Sequence, residues 1–93
     1  LSLHDALPIY LGAGAFASNL LSAIELPDSL SAVAEAAFLD NRIVAAKIPA
    51  SIARIDRLAF SKNQLPEIVL PAHTEIAKDS FDMTTVVLRS SDF

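Results

Sequence analysis

The chain reads as an α/β repeat solenoid of about 22 residues per coil, each coil giving one short parallel β-strand and a single helical turn. Three observations predict it. Aliphatic–proline pairs recur as Leu26-Pro27, Ile48-Pro49 and Leu70-Pro71, with the prolines 22 residues apart. Phe16, Phe38 and Phe60 keep the same step, and so do Asn19, Asn41 and Asn63. Three residue types sharing one period define a repeating unit, because each must serve the same purpose in every copy.

Two units superimpose without gaps. Pro27 to Ile48 is PDSLSAVAEAAFLDNRIVAAKI, and Pro49 to Leu70 is PASIARIDRLAFSKNQLPEIVL. Five columns are identical: the proline, Ser29/Ser51, Ala37/Ala59, the phenylalanine and the asparagine. Five more are apolar in both: Leu30/Ile52, Val33/Ile55, Ile43/Leu65, Ala46/Ile68 and Ile48/Leu70. An earlier unit joins at Leu11-Gly-Ala-Gly-Ala-Phe16 and continues through Asn19, Leu21, Ile24 and Leu26. A later one begins at Pro71, where Ile76 and Phe81 are spaced as Ile55 and Phe60 are, one residue early.

Each element has a physical reason. Ile68 and Leu70 are two apart, so they share one face of a strand while Val69 points the other way. Pro71 has no N–H to give a ladder and marks the strand exit. Ile52 and Ile55 return the chain over the core. Asp56 to Phe60 suits one helical turn that drops Phe60 inward. The amide of Asn63 is placed to bond local backbone before the next strand. One coil cannot bury its own apolar edge, but stacked coils bury it continuously. Phe16, Phe38, Phe60 and Phe81 then form a spine, each burying roughly 150–250 Å².

The columns L-x-x-I-x-L-P-x-S-L-x-x-I-x-x-x-A-F-x-x-N resemble the BspA-like leucine-rich repeat. LPDSLSAVAEAAFLDN and IPASIARIDRLAFSKNQL carry the resemblance, which covers roughly residues 11–88. The glycine usual after the second aliphatic is present only as Gly12; Ala34, Asp56 and Ala77 stand in its place. The resemblance implies a bacterial or protist surface or secreted protein that binds host or matrix proteins. On this reading the solenoid occupies residues 10–88, with a tail at 89–93 and a non-repeat segment at 1–9. That first segment, LSLHDALPI, resembles a translated sequencing-adapter read-through of the kind seen in metagenomic assemblies; the alternative is a divergent cap. The chain does not begin with Met and is expected to be an internal fragment.

Composition narrows the function. The net charge is −4, from 11 acidic and 7 basic residues, which argues against a phosphate-binding face and hence against nucleic acid. There is no cysteine, so neither a disulfide framework nor a thiolate metal site. No apolar run reaches the length of a membrane span, so no membrane insertion of this segment is expected. Gly12-Ala-Gly14 lacks the third glycine of a dinucleotide loop, and Gly14 aligns with Ala36 and Leu58. His73, Glu75, Asp79 and Asp82 fall in the irregular unit and read as solvated surface. Leu30, Val33 and Ala37 also fit an amphipathic helix capped by Ser29. Each 22-residue unit must however also house a β-type segment such as Glu67-Ile-Val-Leu70, which leaves room for a short helix only.

No catalytic set, cofactor or metal site is therefore expected. The expected function is a non-enzymatic protein-binding module, the alternative being a structural spacer. By parity the ligand-facing strand residues are Glu25, Ala45, Lys47, Glu67 and Val69, with Ala23 beside them. Pro27, Pro49, Pro71, the phenylalanines and the asparagines form the structural frame. Three or four coils present a face only about 15 Å long at roughly 4.8 Å per strand. The open strand edges at both ends predict self-association of the fragment.

Overall fold

The computed structural model describes residues 12–90. Within them lie seven short strands: β1 Ala23–Glu25, β2 Ala32–Val33, β3 Ala45–Lys47, β4 Arg54–Ile55, β5 Glu67–Leu70, β6 Glu75–Ile76 and β7 Val86–Arg89. Every pairing is parallel. β1 pairs β3, β5 pairs β7, and β2, β4 and β6 form a second kind of sheet in that order. Ala23 lies opposite Ala45 and Ala32 opposite Arg54, so units 1 to 3 stack in a 22-residue register. We number the units by their prolines: unit 1 ends at Leu26, unit 2 is Pro27–Ile48, unit 3 is Pro49–Leu70, and unit 4 starts at Pro71.

The inward residues of both kinds of sheet meet in one core. Ile24, Leu26, Leu30, Val33, Phe38, Ile43, Ile52, Ile55, Phe60, Leu65, Ile68 and Leu70 are all buried. Strand alternation explains this directly: in β5, Ile68 and Leu70 are buried while Glu67 and Val69 are exposed. The four phenylalanines stack face over face. Their centroids are 5.5 Å apart for Phe16 on Phe38, 5.3 Å for Phe38 on Phe60 and 5.3 Å for Phe60 on Phe81.

The single helical turn expected over Asp56 to Phe60 is absent; no helix occurs among the described residues. Two tight turns replace it. Ala59 N–H donates to the Asp56 carbonyl and Ser61 N–H to the Leu58 carbonyl, both three-residue steps. Leu58, third in the first turn, has φ 61°, which a right-handed helix cannot accommodate. The intervening N–H groups leave the unit altogether. Leu58 donates to Asp79 O and Phe60 to Ser80 O, so bonds between units take the donors a helix would need.

The left-handed positions are themselves a repeat. Gly14 (67°), Ala36 (57°), Leu58 (61°) and Asp79 (62°) form one column, and Ser18 (56°), Asp40 (60°) and Lys62 (58°) a second. Gly14 therefore belongs to the backbone frame. A Cβ there would meet no atom within 4 Å, so the constraint is conformational, not steric crowding.

The asparagines lock the register. The Asn63 side-chain amide donates to Phe60 O in its own unit (3.0 Å) and to Phe38 O in the one before (2.9 Å). Its Oδ1 accepts from Ile43 N–H at 2.9 Å. Asn41 repeats the pattern with Phe38 O, Phe16 O and Leu21 N–H. Each asparagine thus ties two units with both ends of its amide. Ser51 also bonds between units, its hydroxyl donating to Leu30 O at 2.7 Å instead of to its own turn.

Candidate functional site

The outward columns of β1, β3, β5 and β7 make the exposed face. β1 and β3 set Ala23 beside Ala45 and Glu25 beside Lys47. The Lys47 ammonium lies 3.6 Å from the Glu25 carboxylate, with side chains 79% and 43% exposed. At that exposure the pair contributes a few tenths of a kcal/mol. β5 and β7 set Glu67 beside Val86 and Val69 beside Leu88. The two halves differ in chemistry: small and ionic over units 1 and 2, largely aliphatic over units 3 and 4. Val69, Val86 and Leu88 are exposed by 51%, 55% and 41%.

Between the halves the ladder stops. Val44 N–H donates to Ser22 O at 2.9 Å, and Gln64 N–H to Ile43 O at 3.0 Å. The next bond would come from residue 66, which is proline and has no hydrogen to give. β3 and β5 accordingly form no bridge.

Val86 and Leu88 escaped the sequence reading because unit 4 is short. Twenty-two residues beyond Glu67 lies Arg89, whereas Glu67 actually faces Val86, three residues earlier. The alternation Val86-Val-Leu-Arg89 was the available signal, with Val87 partly buried and its neighbours exposed. Unit 4 also changes the frame columns. Thr74 fills the place of Ile52 and is buried, its hydroxyl donating to Ile52 O at 2.7 Å. Ser80 fills that of Ala59, also buried, and bonds Ala77 O. In the asparagine's place, between Phe81 and β7, stands Asp82, which also accepts backbone N–H groups of the preceding unit but different ones, those of Lys62 (2.8 Å) and Asn63 (3.0 Å). Arg89 reaches Pro71 O at 3.0 Å and also bonds Thr74 O.

The residues weighed for other chemistry are dispersed. His73 Nε2 lies 2.9 Å from Ala50 O, Asp82 serves backbone, and Asp79 holds a left-handed turn position. Among the described residues no group of three or more His, Asp or Glu is placed to hold a metal ion. No described helix is long and apolar enough to cross a membrane. On β4, Arg54 Nε donates to Asp56 at 2.5 Å; that bond and the Asp56 charge raise the guanidinium pKa above its ordinary value. His4, Asp5 and Pro8, with the segment 1–9, lie outside the described residues, as do residues 91–93.

Short parallel strands, a 22-residue register and a stacked aromatic spine define a leucine-rich-repeat protein. The family comparison is specific: the model of the BspA type leucine rich repeat region matches residues 5–92 in 6 copies, and the chain belongs to that family. Such repeats are often used in protein interaction, are typically non-catalytic, and are typically found in surface or secreted proteins. No curated protein and no solved structure gives a significant match.

Proposed function

We propose that the units form one continuous solenoid over about residues 10–88, and that it acts as a non-enzymatic protein-binding module of a larger surface or secreted, adhesin-like protein. The observation carrying this reading is the exposed strand face. Glu25, Ala45 and Lys47 lie on the paired strands β1 and β3, and Glu67 and Val69 on β5 across the unbridged seam, on strands whose other faces turn to the core. The framework columns are occupied by backbone-bonded or buried groups, which leaves these outward positions free to vary without cost to the stack. The family's frequent use in protein interaction supports the same reading.

The test is surface plasmon resonance of the 93-residue chain against a panel of purified extracellular matrix proteins. A variant combining Glu25→Ala, Lys47→Ala, Glu67→Ala and Val69→Ser should lose binding while keeping the parent's circular dichroism spectrum. Binding that survives all four changes would reject the strand face. Absence of binding across the panel would favour the spacer role, in which the repeats only present another domain.

A further inference from the structure

The aliphatic half of the strand face has chemistry of its own. Register places Glu67, Val69, Val86 and Leu88 at the corners of a quadrilateral. Its sides are about 4.8 Å between strands and about 6.7 Å along them. Three corners are exposed aliphatic side chains. The fourth, Glu67, enters no ion pair among the described residues, whereas Glu25 on the other half already faces Lys47. The cluster is therefore an apolar patch with one uncompensated negative charge at its corner.

We propose that this quadrilateral docks an extended polypeptide segment carrying a lysine or arginine two residues from a bulky aliphatic side chain. The inference rests on the protein-binding reading above and names the partner's chemistry. Alternate side chains of an extended segment are also about 6.7 Å apart. A partner strand lying along β5 and β7 thus puts its cation over Glu67 when its aliphatic group lies between Val69 and Leu88. The fit is by charge and by spacing together. An acidic segment would meet Glu67 with like charge, and a purely polar one would leave the three aliphatic residues in water. The seam at Pro66 ends the ladder next to the patch, so the site belongs to β5 and β7 alone.

Fluorescence anisotropy with three labelled eight-residue peptides tests this on the full chain. One carries lysine and leucine two residues apart in a serine–threonine background. The second has glutamate for the lysine, and the third has serine for the leucine. The first should bind most tightly. Val69→Thr with Leu88→Thr removes the apolar ends while leaving strand-compatible β-branched residues at both positions, and should weaken it about tenfold or more. Glu67→Gln should weaken it about two- to fivefold at low salt and narrow its advantage over the glutamate peptide, which loses its like-charge neighbour. Thermal unfolding at the parent's temperature verifies that the variants fold. Equal affinity for the lysine and glutamate peptides, or indifference to Glu67→Gln, would overturn the partner's chemistry while leaving the binding face standing. A response to Lys47→Gln but not to Val69→Thr with Leu88→Thr would move the site to the other half. No binding by any peptide would reject the proposal, and the matrix-protein panel then decides the binding reading separately.

Discussion

Units 2 and 3 differ from unit 4 in what holds them in place. The first two repeat one solution: an apolar residue in each inward column, a phenylalanine in the stack, and an asparagine tying adjacent units. Unit 4 keeps the phenylalanine but replaces Ile52 by Thr74, Ala59 by Ser80 and the asparagine by Asp82. Each replacement is polar, and each is answered by a backbone group. Its register tightens too, by one residue at Phe81 and by two more at Val86. Stacking therefore tolerates changes in loop length and side-chain polarity, provided the ring column and the backbone bonds between units persist.

Stability measurements can break this comparison. The largest effect should be Phe60→Ala, which opens a cavity between two stacked neighbours; urea denaturation should show a loss of about 3–5 kcal/mol. Phe81→Ala removes a ring only partly buried and stacked on one described neighbour, and should cost about half as much. Equal losses would mean the stack is no weaker at unit 4.

Next comes Asn63→Ala, leaving Ile43 N–H and the Phe60 carbonyl without their side-chain partner while Phe38 O keeps Asn41 and Ser61 O keeps Asp40 N–H, with an expected loss of about 2–3 kcal/mol. Asp82→Ala frees two N–H groups in a less enclosed place that water can reach, and should cost about 1 kcal/mol. A reversal of that order would show that unit 4 is tied more firmly than the regular units.

Ala36→Gly should raise stability by up to about 1 kcal/mol, since alanine there bears a left-handed backbone that glycine adopts freely. Gly14→Ala should lower it by about 1–2 kcal/mol in the same assay. The smallest effect is Lys47→Ala, a few tenths of a kcal/mol in low salt and nothing at molar salt.

The period, the strand positions in units 1 to 3 and the inward columns could be read from the chain because strict spacing and side-chain polarity agree there. Proline, phenylalanine and asparagine each meet a demand that recurs unchanged, so each recurs in the sequence. The turn after each proline segment was harder. Asp56 to Phe60 has helical apolar spacing, and nothing in its composition declares that Leu58 is left-handed or that its N–H bonds Asp79. Those features arise from the neighbouring unit. The face was readable to Val69 and no further. Val86 and Leu88 join it only because unit 4 shortens, and a fixed period steps over a shortened unit.

Pro66 has a mechanical meaning. On one side of the core, β2, β4 and β6 run unbroken across units 2, 3 and 4; on the other, β3 and β5 are unbridged. β2 and β4 stay paired on the far side, while Lys47 and Val69 stand on edges that no bridge joins. On the β3 and β5 side units 2 and 3 are held, among the described residues, by the Gln64 N–H to Ile43 O bond and by Asn63 alone, so this joint has the fewest strand-side bonds to strain where the two surface chemistries meet.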